Sequence, residues 1–175
     1  MTCNVTPWSR YTLLTSLKTH WPDSDSPKTN DRFEFPFEID LGNFLDKTAD
    51  QTKPWKYRLH CVQVHSGDLH GGQYFALIKP DRHTRWLKFH DKLVTPVTDR
   101  EVLEDNYGGE PLDAPRPQGN QVKATNKSTN ARLLVYIREA ATDEVLAPLA
   151  PWDTPPHLSK SALGQRSRYF CLFFF

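Results

Sequence analysis

The alternation of apolar and polar side chains is strongest in WKYRLHCVQVH, residues 55–65, where Trp55, Tyr57, Leu59 and Cys61 recur at every second position. A period of two puts these four on one face of a β-strand and the polar residues between them on the other. A Gly-rich loop, HSGDLHGG (65–72), comes next, then a dense apolar strand QYFALIK, a turn PDRHTR and a further strand WLKF. Strands joined by so short a turn predict an antiparallel hairpin. ARLLVYIRE (131–139) is the last predicted strand, with Leu133, Val135 and Ile137 alternating along one face.

Helical signals are fewer. FEFPFEIDLGNFLDKT starts extended and turns into a short helix, with Asp40 as N-cap and Leu41, Phe44 and Leu45 as an apolar stripe at i, i+3, i+4. VTDREVLEDNYGG (97–109) predicts a helix in which Thr98 and Glu101 form a capping box. Val97 and Val102 sit at staple spacing there, and Gly108 supplies the stop. Thr142 is placed as the cap of a short helix reaching Leu146. Residues 1–30 show no sustained period, and WPDSDSPKTND (21–31) has the chemistry of a linker. Residues 109–130, rich in Pro, Gly, Asn and Lys, predict a long surface loop, and after Pro151 the pattern fails, ending in the uncovered apolar run CLFFF. The fold class is α+β and mostly antiparallel β; the absence of βαβ alternation argues against a doubly wound sheet.

Composition narrows the function classes. The chain has 175 residues, 38% of them apolar and 25% charged, which fits one soluble domain with a single core rather than a disordered tail. Net charge is +1 with both signs interspersed, so neither a nucleic-acid footprint nor a polybasic membrane anchor is present. No start-of-chain apolar run reads as a signal peptide, and CLFFF is too short to span a bilayer. The three cysteines, Cys3, Cys61 and Cys171, form no CxxC pair, so neither a zinc ribbon nor a disulfide framework is indicated. A reducing compartment, cytoplasm or nucleus, is the expectation.

Three stretches carry a resemblance to a known family: NDRFEFPFEIDL (30–41), LHCVQVHSGDLHGGQYFALIKP (59–80), and NYGGE with TNARLLVYIRE (106–110 and 129–139). In order and spacing they resemble the C-terminal part of the ubiquitin-specific protease (ubiquitin carboxyl-terminal hydrolase) catalytic domain, closest to the herpesvirus-associated sub-type and its fungal relatives. The resemblance spans residues 28–150 and leaves 1–27 and 151–175 as non-matching segments. It implies the partial palm of a papain-like cysteine protease, whose reaction is thiol-dependent hydrolysis of ubiquitin C-terminal amide bonds. It also implies ubiquitin or a ubiquitinated protein as partner, no cofactor and no metal. His65, His70, Gly71, Gly72 and Tyr74 fall where the family grips the ubiquitin tail.

The catalytic positions depart from the family. Its nucleophile lies in a box of the form Asn-x-Gly-x-Thr-Cys-Tyr, which nothing here matches; Cys3 stands in MTCNVT. Its base is the His of Gly-His-Tyr, and here the motif is Gly72-Gln73-Tyr74. Its orienting acid follows a Trp-x-x-Phe strand; here Trp86-Leu87-Lys88-Phe89 is followed by His90, with Asp91 one place later. Arg132 stands where the family usually carries an aromatic residue. An amide has no pKa near neutrality with which to take a thiol proton, and a neutral imidazole stabilises imidazolium poorly. Losing one member of such a triad costs roughly four to six powers of ten in rate. The expectation is a truncated pseudoenzyme without catalytic activity, the alternatives being a non-catalytic ubiquitin-binding module or a degenerate gene product.

Other readings of the same residues are weaker. Asp91, continuing the strand, is expected to face away from position 90, and His70 shapes its loop rather than replacing the base. His60, His65 and His70 recur every five residues, an odd number that points His60 and His65 to opposite faces and defeats shared metal ligation. Cys61 reads as a small buried hydrophobe. Gly71-Gly72 lacks the Lys and helix of a phosphate loop and instead lets a peptide backbone come close. Tyr74 fits either the core or the tail channel. The apolar faces of a stranded half-domain would invite self-association.

Overall fold

The computed structural model describes residues 11–15 (backbone only), 30–45, 52, 54–67, 71–110 and 126–148. Its body is one seven-stranded sheet. The strands are β1 (Tyr11–Thr15), β2 (Glu38–Asp40), β3 (Lys56–Gly67), β4 (Gly72–Ile78), β5 (Leu87–His90), β6 (Leu93–Pro96) and β7 (Thr129–Arg138). They run in the order β1-β7-β3-β4-β5-β6, every pair antiparallel. β2 pairs with the first residues of β3 on the edge that β4 takes further along. Two short helices, α1 (Asp99–Leu103) and α2 (Thr142–Val145), complete a mostly antiparallel α+β architecture.

β3 is the central strand, and its alternation is interrupted. Leu59 pairs with Tyr136, but the next pair is Cys61 with Val135, so His60 is an extra residue in a β-bulge. The bulge resets the phase: Tyr57 and Leu59 before it, and Val62 and Val64 after it, all join the buried core. Cys61, expected on that same face, is therefore turned off it, although it too is buried. A second irregularity falls between the pairs Gln63–Leu133 and Val64–Ala131, which makes Arg132 the extra residue on β7. Across the sheet, Leu77 and Leu134 flank Val62 at its own register and are buried with it. Burying each such side chain is worth about 1.5–3 kcal/mol.

Residues 33–37 form a strap against the core that leads into β2. Phe35 is buried, and Phe33, Phe37, Ile39 and Leu41 pack against the core from its rim. Backbone bonds from Phe33 N–H to Tyr107 (2.8 Å) and from Leu59 N–H to Phe37 (2.7 Å) fix the strap at both ends. The Tyr136 hydroxyl donates to the Pro36 carbonyl at 2.5 Å, and burial pushes that phenol well above its usual range. Proline leaves its carbonyl as the one backbone group able to bond there.

Several expectations change in detail. Residues 11–15 were without a period, yet YTLLT forms β1 against β7. The predicted helix after Asp40 is a single 3-10 turn, Gly42–Phe44; the Asp40 carboxylate accepts from Gly42 N–H (2.9 Å), and Phe44 is 81% exposed. A glycine and an asparagine inside that turn weaken any longer helix. β3 runs on to Gly67, and β7 begins at Thr129. The helix expected over 97–109 is α1 followed by a 3-10 turn, Glu104–Asn106, with the Thr98–Glu101 capping box present and Val102 buried. Gly108 and Gly109 adopt φ of 72° and 74°, the left-handed region that ends it. Thr142 is the first residue of α2 rather than its cap, and its hydroxyl donates to the Arg138 carbonyl. The tail with CLFFF lies outside the described residues.

Tyr136→Phe removes one buried hydrogen bond and strands the Pro36 carbonyl; the expected loss is about 1–2 kcal/mol, read as a lower urea midpoint at unchanged slope. Thr98→Ala removes the cap of α1 and should cost about 1 kcal/mol by the same titration, with Thr98→Ser recovering most of it.

Candidate functional site

At the end of the sheet where β3 hands over to β4, the pairs Ser66–Gln73 and Gly67–Gly72 hold the strands together up to the loop. Strand pairing thus consumes much of the expected Gly-rich loop; of the remainder, residues 68–70 lie outside the described residues, and His70 with them. Gly72 has to be glycine: a Cβ there would run into the His65 imidazole and meet the Ser66 carbonyl at 2.7 Å. His65 is buried beneath it, and its ring lies 4.7 Å from that of Tyr74, which is 58% exposed and so not a core residue. A hydroxyl pair, Ser66 Oγ to Thr129 Oγ1 at 2.7 Å, ties β3 to β7 at the same level.

Gln73 and Phe75 occupy the opposite face of β4 from Tyr74. Position 90 is brought directly over them. The His90 ring lies 5.8 Å from the Phe75 ring, and its Nε2 is 3.0 Å from the Gln73 Oε1. With the amide oxygen toward the ring, Nε2 is the donor of this bond. Gln73 on β4 and His90 on β5 are therefore joined to each other by one hydrogen bond.

Asp91 corrects a sequence expectation. β5 ends at His90, and Asp91 turns the chain with φ of 52°, a left-handed conformation that a short polar side chain tolerates. Its side chain is not carried to the far face by strand alternation: Oδ2 lies 3.8 Å from the same His90 Nε2. That is too long for a hydrogen bond and acts as an ion pair only when the ring is protonated. The carboxylate is largely exposed, so the pair is worth little in water.

The site holds an imidazole, an amide and a carboxylate, but Cys61 is not near it in sequence register. It lies five residues up β3 from Ser66, roughly 16 Å along the strand. Burial pushes the Cys61 thiol up to about 12, the opposite of what a nucleophile needs. Among the described residues no cluster of three or more His, Cys, Asp or Glu could hold a metal ion. His60 is the bulge residue itself, five positions along β3 from His65. Sequence reasoning missed Phe75 and the Ser66–Thr129 pair. Phe75 shares the period-two face of Gln73, which could have flagged it; the hydroxyl pair depends on register between distant strands and left no local signal.

Residues 11–136 match the family model of ubiquitin carboxyl-terminal hydrolase, a match that starts within β1. Ubiquitin carboxyl-terminal hydrolase 15 of Schizosaccharomyces pombe is 50% identical over 141 residues, which is 81% of this chain and 12% of that protein. Ubiquitin carboxyl-terminal hydrolase 5 of the same yeast is 43% identical over 77% of the chain, and ubiquitin C-terminal hydrolase 12 of Arabidopsis thaliana 41% over 75%. The chain spans about one-eighth of the length of these relatives, 12% in each case. In fold it is similar to a chain of the SAGA DUB module, with a TM-score of 0.52 at 21% identity, covering 74% of this chain and 24% of that one. On the matched sequence and the antiparallel sheet alike, the chain belongs to the ubiquitin carboxyl-terminal hydrolase family.

Proposed function

We propose that this polypeptide, by itself, is a non-catalytic member of its family, of the herpesvirus-associated sub-type, that retains a surface for the ubiquitin C-terminal tail. The hydrogen bond between Gln73 and His90 carries the reading. In the family reaction a thiolate attacks the amide carbonyl, and an imidazole takes the thiol proton and returns it to the leaving amine. Here the residue at the base position is an amide that can accept or donate a hydrogen bond but cannot move a proton at neutral pH. The imidazole sits one strand away, on β5, with its Nε2 proton committed to that amide.

The binding half of the proposal rests on the other face of β4. Tyr74 presents an exposed ring packed on His65, and β5 pairs with β4 only over Ala76–Ile78, leaving residues 72–75 without a strand on that edge among the described residues. Ubiquitin or a ubiquitinated protein in the cytoplasm or nucleus is the partner of this reading, and nucleic acid is not. Leu93, 68% exposed, and Val94 lie on edge strand β6, and self-association through them belongs to the same proposal.

The test is hydrolysis of a ubiquitin-amide fluorogenic substrate beside a titration of isotope-labelled ubiquitin. Release is expected at the buffer rate, and to stay there in the double variant Gln73→His, His90→Asp. Shifts confined to the C-terminal tail of ubiquitin are expected and should weaken in Tyr74→Ala. Release that disappears on mutating Cys3, Cys61 or Cys171 would overturn the loss of catalysis, and an unperturbed tail would overturn the binding surface. Peptide mapping after iodoacetamide treatment at pH 8 should leave Cys61 unmodified in the folded protein, because a thiol titrating at about 12 is almost wholly protonated there.

A further inference from the structure

Three donor atoms meet at one solvent-facing point at the end of β5. The His90 Nε2 lies 3.0 Å from the Gln73 Oε1 and 3.8 Å from the Asp91 Oδ2. Two strands and a turn supply them: the β4–β5 ladder brings Gln73 and His90 to one face, and the turn after His90 adds the carboxylate. Asp91 is the one non-glycine residue with a positive φ among the described residues, at 52°. Residues held in that region cluster at ligand clamps and switches.

The fold does not use the trio up. Gln73 is exposed and the Asp91 side chain is 79% exposed, so an ion reaches both from water. Among the described residues neither side chain has a hydrogen bond or ion pair except with His90. The carboxylate stands too far from Nε2 for a hydrogen bond, so bonding within the trio does not account for its approach. No trio of His, Cys, Asp or Glu able to hold a metal occurs among the described residues. Here the third donor is an amide oxygen.

The spacing fits a small cation. Two donors each about 2.1 Å from a tetrahedral zinc ion stand about 3.4 Å apart, and the observed 3.0 and 3.8 Å straddle that separation. At the same bond length the two pairs subtend about 90° and about 130° at the ion, angles open to a metal without geometric preference of its own.

We infer that Gln73, His90 and Asp91 form a binding site for a divalent cation of the zinc class, with one nitrogen and two oxygen donors from the protein and water in the remaining positions. The inference is independent of the ubiquitin reading. The ion takes the Nε2 lone pair, the ring proton moves to Nδ1, and the Gln73 Oε1 turns from accepting the N–H to coordinating the ion. The Asp91 carboxylate offsets part of the ion's charge. Lys88 opposes it: on the same face, its ammonium lies 4.1 Å from the centroid of the Phe75 ring that also backs His90. A set containing imidazole favours Zn²⁺ and Cu²⁺ over Mg²⁺, which keeps to oxygen.

The test is titration of the full chain with zinc chloride, followed by the NMR shifts of the His90 ring, assigned by their loss in His90→Ala. Saturable ring shifts are expected below millimolar zinc, with the backbone amides of 73 and 89–91 moving in step. Gln73→Leu and Asp91→Asn should each weaken binding about tenfold or more. Asparagine tolerates the left-handed turn, so the second variant isolates the charge. Lys88→Met should tighten binding, because it removes a like charge. Amide spectra unchanged away from the site verify that each variant is folded. Copper(II) should displace zinc, and magnesium at the same concentration should not. Ring shifts that do not saturate by about 1 mM zinc would overturn the inference. So would affinity indifferent to both Gln73 and Asp91, which marks a lone surface imidazole, or displacement by magnesium.

Discussion

Everything in this molecule hangs on the pairing of β3. One side of the strand is bonded along its length to β7; the other is shared between β2 and β4. A strict period of two from Tyr57 and Leu59 would carry Val62 and Val64 off the core face. The single extra residue at His60 solves this. It keeps Tyr57 and Leu59 in the core on one side of the bulge and Val62 and Val64 in it on the other. The strap of residues 33–37 then closes that face, anchored by the Tyr136 and Tyr107 hydroxyls on the Pro36 and Phe35 carbonyls.

Both ends of β3 inherit their chemistry from this arrangement. At the far end, regular pairing through Gly67–Gly72 delivers Gln73 to one face of β4 and Tyr74 to the other. The β4–β5 ladder then sets His90 over Phe75 and Gln73. The antiparallel frame of the family fold is in place at this corner, and Gln73 and His90 are the side chains it brings together. An imidazole on β5 is hydrogen-bonded to an amide on β4. Frame and site chemistry are set by different residues.

The near end shows the same separation. Ion pairs around Arg58 and Arg82 are substantially exposed, and their net worth is small. What distinguishes the place is the bulge, which leaves the His60 Nδ1 buried without a hydrogen-bond partner among the described residues. The second bulge residue, Arg132, likewise has Nε and Nη1 buried without partners. Extra residues in a paired ladder are aimed by the ladder around them, and neither side chain could choose a satisfied position without breaking it.

By itself the sequence determined the elements with strong local causes. The capping box of Thr98 and Glu101, the β4–β5 hairpin and the strands around Leu59 and Val135 follow from spacing and turn chemistry that act within a few residues. The family could be named from three motifs. Only the tertiary structure decided what depends on register between distant strands. It moved Cys61 off the core face by placing a bulge at His60, and drew Tyr11–Thr15 into the sheet through β7. It ended β5 at His90, so that the left-handed Asp91 stands beside the imidazole. A bulge costs one residue of phase and is set by the partner strand; alternation read along one chain cannot contain it.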